Sequence, residues 1–237
     1  MEPRADGVLA RLESRWERKH PESERGTGTT WWAPRARGWW IGVLFAVGST
    51  LFALGSIPAY ADAVGFTATG ITYFVGSVFF TSAALLQFLE AVEAAGRWAP
   101  SHLGWLASAV QLVGTLWFNW STANAVRVDL SATLAHQRVW RPDALGSIAF
   151  LVASGLAWWE VCHGAFAWSP RSLAWWITAA NLVGSIAFGI SALAAYVNPS
   201  TGSVANADLA DLGTLVGALC FLGGAILLLP ERTREPG

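Results

Sequence analysis

Charge is scarce in this chain. Its 237 residues include 16 Asp or Glu and 15 Lys or Arg, which together make 13% of the sequence, against 54% hydrophobic residues. The mean hydropathy is +0.42. Polar side chains are therefore too few to cover a soluble globule of this size. The composition predicts a protein whose natural surroundings are a lipid bilayer.

The chain also lacks the motifs of several functional classes. Its two cysteines, Cys162 and Cys220, fall in or at the end of apolar segments, so no disulfide framework is indicated. It has no phosphate-binding loop, dinucleotide fingerprint, nucleophile elbow or zinc-protease motif. Glu160, Cys162 and His163 lie close in sequence, but no second His or Cys is near them, so we expect no metal site. Because these motifs are missing, we also expect no cofactor and no catalytic residue. We expect no nucleic-acid partner, because the formal charge is −1 and basic residues cluster only in the N-terminal tail.

Six long apolar segments make up most of the sequence. Each is near the twenty or so residues that span about 30 Å of hydrocarbon. None has the polar face, recurring every 3.6 residues, that a helix on a soluble protein shows. The predicted fold class is all-α, a polytopic membrane protein with six transmembrane helices. Their expected bounds are 38–60, 69–92, 103–126, 143–164, 172–196 and 208–230.

One residue pattern occurs three times, with a period of about 70 residues. In each copy, a Trp is followed nine residues later by a Gly, and a Phe lies four residues beyond that Gly. A second Gly is followed four residues later by its own Phe and fourteen residues later by a Glu. The pattern predicts three tandem helical hairpins inserted in the same orientation. Its members are Trp39, Gly48, Phe52, Gly76, Phe80 and Glu90; Trp105, Gly114, Phe118, Gly146, Phe150 and Glu160; and Trp175, Gly184, Phe188, Gly217, Phe221 and Glu231.

The repeats divide the chain into five segments. Residues 1–30 form a cytoplasmic N-terminal tail that is partly disordered, with a short amphipathic helix on the membrane surface as the alternative interpretation. The three hairpin repeats occupy 31–92, 93–164 and 165–231, and residues 232–237 form a cytoplasmic C-terminal tail. The link 126–142 is longer than its equivalents. We expect it to be an outward loop, either a solvated connector or a segment that folds over the mouth of its hairpin or meets a partner.

The spacing places the repeated glycines and phenylalanines at matching depths. If the repeated Trp lies at the cytoplasmic interface, the first Gly is about 13.5 Å deep and the first Phe about 19.5 Å deep, at 1.5 Å per residue. Counted from the Glu on the returning helix, the second Phe is about 15 Å deep and the second Gly about 21 Å. Gly48 then faces Phe80, and Phe52 faces Gly76. This favours a helix-packing role for the motif, since membrane helices associate where small residues allow close approach; a pore-lining role is the alternative.

The repeated Trp and Glu are predicted to lie at the cytoplasmic interface. Indole rings favour the boundary between hydrocarbon and water, and an acid that ends a span can pair with an arginine of the following link. A ring of three acids that collects cations is the alternative interpretation of Glu90, Glu160 and Glu231.

Arginines near the membrane are biased to one side of it. The side of the termini carries Arg35, Arg37, Arg97, Arg171, Arg232 and Arg234, and the opposite side carries Arg127, Arg138 and Arg141. By the positive-inside rule, both termini face the cytoplasm. We therefore expect a multi-pass protein of the inner, or plasma, membrane.

Two consecutive apolar segments contain a similar short run. It reads FAVGSTLF from Phe45 to Phe52 and YFVGSVFF from Tyr73 to Phe80. Hairpins with such Gly-Ser motifs resemble the YrhK-like family of small bacterial membrane proteins, from which the third hairpin departs at Ala218. The resemblance implies a bacterial membrane protein built of two-helix units, here triplicated, and it implies no particular activity.

The function predicted is that of a non-enzymatic structural or interaction protein of the cell envelope, associated with the lipid bilayer and with a protein partner or a second copy of the chain. The alternative is a small-solute channel or facilitator with a path between the hairpins. Amides in the apolar segments either bond across helices or line such a path; they are Gln87, Gln111, Asn119, Asn124 and Asn181. A dry core favours the first function and a wet core the second.

The charge bias makes the topology testable. Reporter fusions or cysteine-accessibility labelling at residue 25 and residue 236 are expected to place both positions in the cytoplasm, and the 200–206 link on the opposite side. A terminus found outside the cell, or a 200–206 link found inside, would show that the number of spans or their orientation is wrong.

Overall fold

The computed structural model describes residues 31–95, 102–127, 129–162 and 168–231. Within these ranges the regular secondary structure is helical, apart from an isolated bridge between Val197 and Val204, and turns and irregular links join the helices. The predictions for the N-terminal tail, the C-terminal tail, Arg97 and His163 lie outside the described residues. The helices are α1 (Arg37–Gly55), α2 (Pro58–Val64), α3 (Phe66–Ala95), α4 (Leu103–Ala125), α5 (Ala132–Val161), α6 (Leu173–Ala194) and α7 (Ala207–Glu231). The predicted all-helical class is confirmed for the described part of the chain.

Five of the helices in these ranges, α1, α3, α5, α6 and α7, are long and apolar enough to cross a membrane. The protein is therefore a membrane-embedded one. Helix α4 is not among the five, although it has 23 residues and no charged side chain. Gln111, Asn119 and Asn124 lower its hydropathy.

The six long helices form a closed ring in chain order. Helix α1 packs on α3, α4 on α5, and α6 on α7. Between these pairs, α3 contacts α4, α5 contacts α6, and α7 returns to contact α1. Each long helix therefore has one neighbour on either side and turns one face toward a common axis.

The first helix is shorter than the sequence predicted. Helix α1 ends at Gly55, where Ser56 Oγ donates a hydrogen bond to the Phe52 carbonyl at 2.6 Å. Pro58 then begins α2, because a residue without an N–H fits the first turn of a helix but not its interior. Gly65 joins α2 to α3 with a φ of 83°, a left-handed conformation that glycine adopts at little cost.

The prediction of a loop over 126–142 is wrong for most of that segment. Helix α5 begins at Ala132, and the Ser131 hydroxyl caps it by accepting from the Leu134 N–H at 3.4 Å. A π-helical turn follows at His136–Trp140 and ends two residues before Pro142. This local change in hydrogen bonding accommodates a residue that has no N–H to donate. Arg138 and Arg141 therefore belong to a helix that extends past its apolar part.

The start of α5 packs on the link between α6 and α7. The Trp140 Nε1–H donates to the Ala192 carbonyl at 2.9 Å, and His136 Nδ1 lies 2.7 Å from the Val197 carbonyl. The rings of Trp140 and Tyr196 meet edge to face, with centroids 4.8 Å apart. This segment thus joins two neighbouring helix pairs at one end of the ring.

Candidate functional site

Each repeated glycine faces a repeated phenylalanine on the partner helix. A Cβ built on Gly48 would lie 2.8 Å from Phe80 Cδ2, and one on Gly76 would lie 2.9 Å from Phe52 Cδ2. The repeat spacing puts the equivalent residues of the other two helix pairs at the same depths, and the structure brings them together as well. The other distances are 2.9 Å for Gly114 to Phe150, 3.2 Å for Gly146 to Phe118, 3.1 Å for Gly184 to Phe221 and 2.6 Å for Gly217 to Phe188.

The two repeated glycines of each helix pair also face each other. A Cβ on Gly184 would lie 3.0 Å from the Gly217 carbonyl oxygen, and a Cβ on Gly217 would lie 3.0 Å from the Gly184 oxygen. The corresponding distance is 3.0 Å from Gly48 to Gly76 and 3.2 Å from Gly114 to Gly146. The helices of each pair therefore cross backbone to backbone at these glycines, with one phenylalanine on either side of the crossing.

The six repeated phenylalanine side chains meet on the common axis of the helices, where they form two triangles. In the triangle of Phe52, Phe118 and Phe188, the ring centroids are 6.4, 6.1 and 6.1 Å apart. In the triangle of Phe80, Phe150 and Phe221, they are 6.2, 6.0 and 5.6 Å apart. One triangle comes from α1, α4 and α6, and the other from α3, α5 and α7.

The two triangles also contact each other within every helix pair. Centroid separations are 5.4 Å for Phe52 and Phe80, 5.2 Å for Phe118 and Phe150, and 5.3 Å for Phe188 and Phe221. These six side chains, which we call the phenylalanine prism, are between 1% and 7% exposed. Most of the rings meet edge to face, a favourable arrangement of aromatic quadrupoles. The prism places an apolar plug across the axis.

The repeated tryptophans, predicted to lie at the cytoplasmic interface, are buried against other residues of the protein. Trp39, Trp105 and Trp175 are 7%, 5% and 5% exposed. Trp105 packs on Phe88 of α3, and Trp175 on Trp158 of α5, both with centroids 5.4 Å apart. Trp105 and Trp175 therefore fill the contacts between neighbouring helix pairs. Sequence reasoning missed Phe88 and Trp158, although they occupy equivalent positions two residues before the repeated Glu.

The repeated glutamates differ in their surroundings. Helix α3 continues five residues past Glu90, whereas Glu160 is buried and next to the last residue of α5. The side chain of Glu231 lies outside the described residues. An ion pair joins Arg37 to Glu93, and because both side chains are well exposed its contribution to stability is small. In the described part of the chain, no group of three His, Cys, Asp or Glu side chains is placed to hold a metal ion.

The amides of the apolar segments differ in their surroundings. Asn119 Nδ2 donates across the helix interface to Thr81 Oγ1 at 2.8 Å, and Asn124 Nδ2 donates to a carbonyl of its own helix. Gln87, Gln111 and Asn181 instead line a cavity of about 50 Å³. This cavity touches Phe221 of the prism and lies toward the carboxyl ends of α3 and α5. The core is thus apolar at the prism, and the cavity beside it is partly lined by polar side chains.

The crossing glycines predict a position-specific effect within one helix. Gly184→Ala is expected to destabilise the protein by about 1–3 kcal/mol, because its methyl group would press on the Gly217 backbone and the Phe221 ring. Gly189→Ala in the same helix is the matched control, since no atom lies within 4 Å of its added Cβ. That change is expected to leave stability unchanged within about 0.5 kcal/mol or to raise it. Thermal unfolding in detergent measures both variants, and equal effects would contradict the crossing.

Comparison of the chain with protein-family models, curated proteins and solved structures gave no match. In the described part of the chain, five helices are long and apolar enough to cross a membrane, and the six long helices surround an aromatic plug.

Proposed function

We propose that the protein spans the plasma membrane six times, as three tandem hairpins inserted in the same orientation. Helix α4 supplies the span that hydropathy alone leaves out. It carries the same Trp, Gly and Phe spacing as α1 and α6, and it packs between α3 and α5 in the ring. The bias of arginines toward the side of the termini supports an orientation with both termini in the cytoplasm. Membership in the YrhK-like family belongs to this proposal and rests on the Gly-Ser runs of the hairpins.

The function that this arrangement supports best is that of a non-enzymatic structural or interaction protein of the cell envelope. The phenylalanine prism is the observation that carries it. Six buried rings with neighbouring centroids 5.2 to 6.4 Å apart occupy the axis on which a path between the hairpins would run. A hydrophobic constriction of this kind excludes water and ions. A rigid, sealed bundle suits a scaffold for a partner protein or for a second copy of the chain.

A small-solute facilitator is the second candidate, favoured by polar groups on both sides of the prism. On the side opposite the cavity, the Tyr73 hydroxyl donates to Ser56 Oγ at 3.1 Å, and the Ser191 and Thr214 hydroxyls are 2.7 Å apart. Passage would then require the prism to open.

Flux through proteoliposomes separates the two functions. We expect water and glycerol permeability of vesicles containing the protein to equal that of protein-free vesicles. Removing two rings of one triangle with Phe80→Ala and Phe150→Ala is expected to raise water permeability, because it opens the axis. Phe88→Ala is the matched control, since Phe88 packs on Trp105 outside the prism. Permeability of the unmodified protein above the lipid background would instead establish the facilitator.

A further inference from the structure

The cavity beside the prism is enclosed by all six long helices. Its polar lining comes from Gln87, Gln111, Ser154, Thr178 and Asn181. Gln111 of α4 and Asn181 of α6 occupy equivalent positions of the repeat, seven residues before the prism residues of their helices. The third equivalent position, on α1, is Phe45, which also lines the cavity. Two amides therefore face an aromatic ring across a site inside the bundle.

Gln111 and Asn181 bring unsatisfied hydrogen-bonding capacity to this site. Among the hydrogen bonds of the described residues, none involves the side-chain amide of either residue. The neighbouring hydroxyls are already engaged, since Ser154 Oγ lies 2.7 Å from Ser185 Oγ and Thr178 Oγ1 donates to backbone carbonyls. Each free amide offers two donors and an acceptor oxygen. In an apolar bundle, such groups favour an occupant that both donates and accepts.

The backbone of α7 makes room for one of these amides. A Cβ built on Gly224 would lie 2.7 Å from Asn181 Oδ1. Any other residue at position 224 would therefore displace the amide. Gly224 lies outside the repeated Gly-Phe motif, so its small size here is explained by the Asn181 side chain.

The size and charge of the cavity restrict its occupant. At about 10–15 Å³ of accessible space for each water molecule, a cavity of about 50 Å³ holds about three to five waters, or a molecule with a similar number of heavy atoms. None of its lining residues is charged. Moving an ion into such surroundings without a counter-charge is costly, so a neutral occupant is favoured.

The geometry points to a binding site for a small uncharged molecule that carries both a hydrogen-bond donor and an acceptor, held by the amides of Gln111 and Asn181. A primary amide of three to five heavy atoms matches these groups best, because two carboxamides can pair donor to acceptor in both directions. The site lies on one side of the prism, so binding does not require the axis to open. Binding at this site is therefore independent of whether the protein transports a solute.

Titration with acetamide, followed by NMR of ¹⁵N-labelled side-chain amides in detergent, tests the site. The Gln111 and Asn181 resonances, assigned from Gln111→Leu and Asn181→Leu, are expected to shift together and to saturate with one dissociation constant. The Asn119 amide, which already bonds to Thr81, is the internal control and is expected to stay unshifted. Shifts that grow linearly without saturation, or that appear equally at Asn119, would overturn the proposal. Saturation with ammonium or acetate but not with acetamide would overturn the neutral occupant.

Two variants tie the binding to this cavity. Ala157→Leu adds bulk to the lining and is expected to abolish the saturable shift. Gln111→Leu keeps the side-chain size, and is expected to weaken acetamide binding, read at Asn181, by about tenfold, as when a hydrogen-bonding group of a site loses its partner. Thermal unfolding checks that each variant is folded. Unchanged binding in a folded form of either variant would place the ligand elsewhere and overturn the proposal.

Discussion

The close approach of two backbones at three pairs of glycines is the contact on which the rest of the structure depends. Hydrocarbon gives membrane helices little hydrophobic reason to associate, so stability must come from packing and from hydrogen bonds. At Gly48 and Gly76, and at the equivalent pairs, the missing side chains allow one helix to touch the other directly. The same contacts fix the positions of the phenylalanines on either side. The crossing recurs in each of the three helix pairs, and the pairs close into a ring. The six phenylalanine side chains are therefore directed to one axis.

The phenylalanine prism connects this packing to function. Each of its six rings contacts a ring of its own helix pair and rings of the neighbouring pairs, so it joins the three repeats at their centre while it fills the axis. Tryptophans join the same pairs nearer the ends of the helices. The repeat is not perfectly symmetric: Phe45, Gln111 and Asn181 occupy one repeated position. That difference produces a polar cavity beside an apolar plug, where an exact threefold repeat of phenylalanine would have extended the plug.

Much of the pairing was predictable from the sequence, because residue counts along a helix give depth. Counting from Trp39 and Glu90 placed Gly48 opposite Phe80, and these residues are in contact. Depth carries no information about direction around the helix axis, so the meeting of all six rings and the burial of Trp39 were not predictable in this way. The helical start of α5 was missed for a different reason. Its charged residues and Pro142 are typical of a loop, and only the contacts of Trp140 and Tyr196 explain why the helix continues there.

A double-mutant cycle at Gly114 and Phe150 tests the central claim that the rings fit against the crossing glycines. A methyl group on Gly114 would lie 2.9 Å from the Phe150 ring. Unfolding free energies in detergent are measured for Gly114→Ala, Phe150→Ala and the double variant. The packing predicts that the glycine substitution costs at least about 1 kcal/mol less when the ring is absent, with the remaining cost due to the Ala149 side chain and the Gly146 backbone. Effects that add within about 0.5 kcal/mol would show that the two residues do not pack against each other.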